Sequence, residues 1–324
     1  MLVRNHCLGL LLILCSLSLS AQQDKIITHF FEDKMSLNPG ATGEGMFNRI
    51  CATSIYRNQW DKVNGAPNSA VLNIEADLNR YFPGGIGIAL YHDAIGFARQ
   101  NNLALNYSYP LEIGKIGTLG LGLGVGILNY GLNPEWVPPT TATDNSLPTS
   151  FAATNLDLNF GAFFRSEDKN WYVGLSSTHL SQSLLEQQSQ NGFAQSYQTA
   201  RHYYLMGGKK FGNSENKILG GIIDAQVLMR TDMIKFSADI NARYIYDFGN
   251  SKVGYGGLTV RTSDAIAFMF GYTPIENLKV GYSYDLTLFN KLSNVSRGSH
   301  EILVQYCYNL PEIPKSSARH PRWL

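Results

Sequence analysis

Apolar and polar residues alternate with a period of two along most of this 324-residue chain. In Asn68 to Asp77, one parity carries Ala70, Leu72, Ile74 and Ala76. The other carries Ser69, Asn73, Glu75 and Asp77, with Val71 as its exception. Asn155 to Phe164 sets Leu156, Leu158, Phe160, Ala162 and Phe164 against Asn155, Asp157, Asn159 and Gly161. The longest run, Ile234 to Phe248, alternates Phe236, Ile240 and Tyr244 with Lys235, Asp239 and Arg243. Asn102 to Tyr109, Leu278 to Leu286 and Ile302 to Tyr308 repeat the pattern. Such alternation marks strands with one apolar and one polar face. The predicted strands lie near 49–60, 68–78, 84–93, 99–110, 116–130, 154–165, 171–180, 200–211, 217–230, 233–248, 252–262, 264–272, 278–287 and 299–309.

A soluble sandwich has the same period, but three features favour a closed membrane barrel. Many runs reach ten residues or more, where globular strands average five or six. Tyrosine and phenylalanine gather near strand ends, as at Tyr107 and Tyr109, Tyr244 to Phe248, and Tyr306 and Tyr308, where interfacial girdles belong. Full charges stand in mid-strand on the polar face, which suits a wet lumen better than a dry sandwich core. The fold class predicted is all-β, a transmembrane antiparallel barrel of about fourteen strands of the outer-membrane type. Parity assigns Leu72, Ile74, Leu121, Leu123, Phe236, Ile240, Val280 and Val304 to lipid, and Asn73, Glu75, Asp157, Asp239, Arg243 and Gln305 to the interior.

Connection lengths set the orientation. Residues 166–170, 212–217, 249–251 and 273–277 read as short polar turns, and 131–153, 181–199 and 289–298 as long irregular loops. Short turns belong to the periplasm and long loops to the exterior, and an even strand count returns both termini to the periplasm. Gly117 to Leu128 alternates Leu119, Leu121, Leu123, Val125 and Ile127 with Gly120, Gly122, Gly124 and Gly126. Four interior glycines would each cost a helix about 1 kcal/mol. As a strand the run has an inner face without side chains, either a bend in the wall or, as the less favoured reading, a surface against which a plug or threaded peptide packs.

Arg4, an apolar run from Leu8 to Leu19, and the small residues Ser18, Ser20 and Ala21 read as a signal peptide cleaved after Ala21. The expected organisation is a signal peptide at 1–21, a periplasmic or plug segment at 22–48, a barrel at 49–309 and a basic periplasmic tail at 310–324. Cleavage removes Cys7 and Cys15 and leaves Cys51 and Cys307. In a closed barrel these fall on neighbouring first and last strands, on the same inner face near the periplasmic rim. They form either a seam disulfide or two separately packed thiols.

Composition adds little. The charge is near balance, with 26 basic and 25 acidic residues, so no basic footprint points to nucleic acid. No zincin, GxSxG, P-loop or EF-hand pattern is present, and His92 and Asp93, adjacent on a strand, face opposite ways. His29, His179, His202 and His320 are scattered and read as polar surface groups. No enzyme activity, cofactor or metal is expected.

Thr28 to Phe31, followed by Ser36-Leu37-Asn38-Pro39-Gly40-Ala41-Thr42-Gly43, resembles the aromatic-rich and LNPAxAG opening of the PorP/SprF family of type IX secretion system membrane proteins. Tyr56-Arg57-Asn58-Gln59-Trp60 with Gly65-Ala66-Pro67 is similar to that family's YRxQW and GAP segment, and His92 to Gly96 to its NDxIG turn. Gly298 to Ile302 resembles the opening of its last strand, and Arg319-His320-Pro321-Arg322-Trp323-Leu324 its RxPRF-like tail. Gly40 and His92 depart from the usual alanine and asparagine. The resemblance implies outer-membrane localisation and a role in export or surface display of cargo, in some members gliding adhesins. The partners implied are membrane lipid, periplasmic secretion components and secreted cargo proteins. The tail is either a disordered basic end or a periplasmic docking peptide anchored by Arg319, Arg322 and Trp323. A passive porin or hydrophobic-solute channel and an outer-membrane hydrolase are the rival readings.

Overall fold

A computed structural model describes residues 25–79, 81–135, 150–182, 184–188, 194–212, 218–262, 264–289 and 291–311, with backbone alone for 185–188 and 194–196. The signal-peptide and tail expectations lie outside the described residues. The first seven strands are β1 (Arg49–Asn58), β2 (Asn68–Asp77), β3 (Gly85–Ile95), β4 (Ala98–Ile113), β5 (Gly117–Leu132), β6 (Phe151–Ser166) and β7 (Trp171–Thr178). A short pair follows, β8 (Leu184–Gln188) and β9 (Ala194–Gln198). The rest are β10 (His202–Phe211), β11 (Gly221–Thr231), β12 (Phe236–Gly249), β13 (Lys252–Arg261), β14 (Ala265–Ile275), β15 (Leu278–Thr287) and β16 (Ser299–Asn309).

All but β8 and β9 join one closed antiparallel barrel of fourteen strands, each paired with its sequence neighbour, and β1 closes on β16. Closure removes the edges that a bilayer cannot satisfy. Side chains sort by parity as the alternation requires. Leu72, Ile74, Leu121, Leu123, Phe236, Ile240, Val280 and Val304 are each 37% to 64% exposed on the outer face. Asn73, Glu75, Asp157, Asp239 and Gln305 point inward and are at most 7% exposed.

Two local expectations are corrected. The connection 181–199, expected to be irregular, contains the β8–β9 hairpin, a separate two-stranded sheet. An excursion of that length satisfies its backbone groups by pairing with itself. β5 and β6 also run further than expected, to Leu132 and from Phe151, because Leu128, Tyr130, Leu132 and Phe151 cluster with Tyr197 of β9.

The lumen is filled. Residues 25–47 run through it from the end that carries the long connections, the extracellular end in outer-membrane barrels, to the periplasmic end where β1 begins. Lys25 to His29 bond to the extracellular ends of β11, β13, β15 and β16. Short helical turns cover Phe30–Glu32, Lys34–Leu37 and Pro39–Ala41. Phe30, Phe31, Met35, Leu37 and Ala41 are almost fully buried. Full burial of a large apolar side chain contributes about 1.5–3 kcal/mol, and the partners here are inward-facing apolar residues of the wall. Phe163, Tyr204, Met206, Leu228 and Met269 surround the two phenylalanines and Leu37, while Ile55, Val71 and Leu303 surround Ile27.

The glycine run faces this segment rather than bending the wall for its own sake. A Cβ on Gly122 would overlap the backbone of Pro39 and Gly40, and one on Gly120 would overlap the Gly40 carbonyl. Gly161 and Gly174, on β6 and β7, make room for the Asn38 side chain. The reading in which something packs closely against this surface is the one the structure shows. The mid-strand charges, expected to face water, are instead buried against the segment.

Candidate functional site

The lumen and its plug bring the charged inner-face residues together. Near the extracellular end, Arg57 donates to Asp285 at 2.7 Å and to Glu301 at 3.3 Å. Arg261 reaches Asp285 at 2.8 Å and Asp239 at 3.1 Å, and Arg230 reaches Asp239 at 2.5 Å. Three guanidinium groups thus meet three carboxylates, all at most 8% exposed as side chains. The plug completes this set. The amides of Thr28 and His29 donate to the two Glu301 oxygens at 2.8 Å each, and the Thr28 hydroxyl donates to Asp285. Arg57 and Arg261 both donate to that hydroxyl, and Arg230 to the Lys25 carbonyl. Buried ion pairs add little net stability because desolvation offsets their attraction. What these bonds confer is position, since backbone amides of the plug align on fixed carboxylate oxygens.

Lower in the lumen, Glu32 accepts from Lys279 at 2.9 Å and lies 3.5 Å from Arg243. Burial opposes its ionisation, but these two cations hold its carboxyl down to about 2. Arg243 also stacks over the Phe31 ring at 3.8 Å from its centroid. Asp33 is bonded to Ser36 and Asn73 and lies 3.9 Å from Lys25, yet burial raises its pKa. Glu44 pairs with Arg165 at 2.7 Å and Lys34 at 3.2 Å, which lower its pKa despite burial.

The family-motif residues divide between plug, wall and rim. The Asn38 amide donates to the carbonyls of Ala162 and Leu175, on β6 and β7, while its oxygen caps Gly40 N–H. Pro39 opens the turn that lies on the glycine surface. Gly43, at φ +74°, donates its N–H to Glu75 and sits where a Cβ would lie 2.8 Å from the Ala76 carbonyl. Gly40 is crowded too, with the Gly120 and Gly161 carbonyls 2.7 and 2.9 Å from where a Cβ would stand, so a larger residue here would press on the wall backbone. Arg57 is the clamp described above, and its neighbour Tyr56 faces outward, 51% exposed.

Gln59 to Pro67 form a tight extracellular loop. The N–H of Gln59 donates to Pro67, that of Trp60 to the Ser299 hydroxyl, and Asp61 exchanges bonds with Arg297 and Gly298. Ala66 closes a turn onto Val63, and Gly65, at φ +74°, accepts from Gly96 in the β3–β4 turn. The loop thus ties β1 to β16 at the rim. At the opposite end of that seam, Cys51 and Cys307 stand directly opposite and are bonded, S–S 2.07 Å. Arg319, Arg322 and Trp323 lie outside the described residues.

The histidines correct the sequence reading. His29, 0% exposed, is buried with its Nδ1 2.6 Å from Glu301. His179, paired with Asp157 at 3.0 Å, and His202, whose ring lies against those of His179 and Tyr204, are also buried. No group of three or more His, Cys, Asp or Glu residues that could hold a metal occurs among the described residues.

The family model described as type IX secretion system membrane protein PorP/SprF matches residues 19–306. Among solved structures, the Ralstonia pickettii toluene transporter TbuX is similar at TM-score 0.53 and 10% identity, over 86% of this chain and 93% of that one. The monoaromatic hydrocarbon channel CymD is similar at TM-score 0.52 and 11% identity, over the same shares. At such identities the likeness is one of fold alone. No curated protein matches the chain in sequence.

Proposed function

Because the chain belongs to the PorP/SprF family of type IX secretion system membrane proteins and is an outer-membrane barrel, we propose that it supports export or surface display of cargo proteins as an occluded platform rather than as a pore. The observation that carries this reading is the lumen. Inner-face charges such as Glu301, Arg230, Arg243, Lys279 and Arg165, and the inner-face apolar residues, are engaged by residues 25–47 rather than lining a water path. A porin needs inner-face charges free to meet solute, and here they bond the plug. Cargo and periplasmic secretion components then act at the rims, where the Gln59–Pro67 loop and the turns are presented. In the same reading the basic tail docks a periplasmic partner, so truncation after Pro314 leaves a folded barrel that no longer co-purifies with one.

Deletion of the gene followed by proteomics of the secreted and surface fractions tests the proposal. Loss of particular large surface proteins, with unchanged uptake of small solutes, is the expected result. A change in permeability with an intact surface proteome would overturn it.

A further inference from the structure

The outer wall of the barrel is uneven on one flank. A depression of about 310 Å³ lies across β1 to β5, toward the extracellular end of the lipid-facing surface. Register explains its shape. One outward rung sets Ser54 beside Leu72, Leu72 beside Leu90, Leu90 beside Leu103 and Leu103 beside Ile127. Ser54 on this rung and Ala70 on the next are small, so a gap opens between the branched side chains. Val71, Tyr91 and Asn102 also line it, and because they face the lumen by parity only their backbone reaches this floor.

The neighbouring rung, one step closer to the exterior, is polar. It joins Ala70, His92, Asn101 and Asn129. His92 and Asn101 share a hydrogen bond of 2.7 Å, and Asn129 donates to Thr154 at 2.8 Å. One step further out stands Arg99, between Ala94 and Gly131. Its guanidinium is fixed at the rim by the carbonyls of Gly96 and Ala98, and no carboxylate pairs with it among the described residues. These three rungs carry no outward acid.

Apolar, hydrogen-bonding and cationic layers follow one another in the order in which a membrane amphiphile presents its chain, its linkage region and an anionic head. Cationic groups at this level attract anionic headgroups, and a groove between leucines accepts an acyl chain without displacing water. We propose that this flank holds one phosphorylated lipid of the outer leaflet, its acyl chain in the depression, its linkage oxygens and amides against His92, Asn101 and Asn129, and its phosphate at Arg99. The site is on the outside of the barrel, separate from the plug, and stands whether or not the lumen is closed.

Native mass spectrometry of the full chain, extracted from outer membranes in mild detergent, reads the bound lipid directly. The wild type is expected to retain one phosphorylated lipid per chain. Ala70→Phe fills the depression and should lower retention at least tenfold, and Arg99→Gln several-fold, while Ile240→Phe on β12, across the barrel from β3, changes nothing. The heat-dependent gel shift of a closed barrel reports folding, and Ser54→Leu replaces Ala70→Phe should that variant not fold. The absence of stoichiometric lipid from the wild type, full retention by the depression variants, or equal loss on Ile240→Phe, the mark of annular lipid only, would each overturn the proposal. Unchanged lipid with loss of a co-purifying protein would also overturn it, and would assign the flank to a protein partner.

Discussion

Replacing Arg57 by methionine removes the cation that joins β1, β15, β16 and the plug while keeping most of its apolar stem. Arg57 is 1% exposed and donates to Asp285, Glu301 and the Thr28 hydroxyl. Removing one partner of a buried ion pair costs roughly 3–5 kcal/mol, because the other charge is left uncompensated. Here both carboxylates keep other donors. Asp285 retains Arg261 at 2.8 Å, and Glu301 retains the amides of Thr28 and His29. The cost should therefore lie near the lower end, about 3 kcal/mol. Urea unfolding of the barrel in lipid vesicles, followed by gel mobility, measures it. A cysteine placed at Ser36 reports the plug separately, since its labelling by a thiol reagent should accelerate when the clamp is lost. Adding Asp285→Asn should cost less than the sum of the single changes by about 1–3 kcal/mol, as for residues in one network. A loss within about 0.5 kcal/mol, typical of a surface change, or unchanged Ser36→Cys labelling, would refute the clamp.

Gly122→Val places side-chain atoms in the backbone of Pro39 and Gly40. Overpacking of this kind costs about 1–3 kcal/mol, and protease should then cut residues 25–48 while the barrel band persists; unchanged protection would contradict the contact. Cys51→Ser with Cys307→Ser opens a cross-link between residues 256 apart in sequence, and should lower stability by about 2–4 kcal/mol and abolish the non-reducing mobility shift of the unfolded chain. An unchanged urea midpoint would argue that the barrel seam holds without it. Glu32 has its carboxyl held at about 2, below the usual 4.5. A depressed pKa contributes plug stability that is present above about 4.5 and lost as pH falls through about 2. Hydrogen exchange of plug amides should accelerate across that window in the wild type, and Glu32→Gln should flatten the dependence.

Period-two alternation made the barrel wall legible because a strand pairing with lipid on one side and the interior on the other allows only one parity to be apolar. Strand number and the β1–β16 closure followed from it. What the inner face met was harder to read, since a water-filled and a plug-filled lumen both call for polar residues there. The signal that separates them was present in the exceptions. Val71 breaks its strand's polar parity, and Ile55, Phe163, Leu228 and Leu303 do the same on β1, β6, β11 and β16. Each packs on the plug. The alternating glycines of β5 carried the same information, since an inner face without side chains leaves room for another backbone. His29 was unreadable because its partner Glu301 is 272 residues away in the chain, and His179 because its partner Asp157 stands on the neighbouring strand β6, and no local pattern encodes either contact. The β8–β9 hairpin was missed for a related reason, as it pairs with itself outside the membrane and needs no strict alternation.

Single-channel conductance of the purified full chain in planar bilayers tests the central claim, a barrel closed by its own N-terminal segment. The filled lumen predicts a silent bilayer for the wild type, with steps appearing only when Arg57→Met or Gly122→Val loosens the plug. Steady porin-sized conductance from the wild type would contradict it.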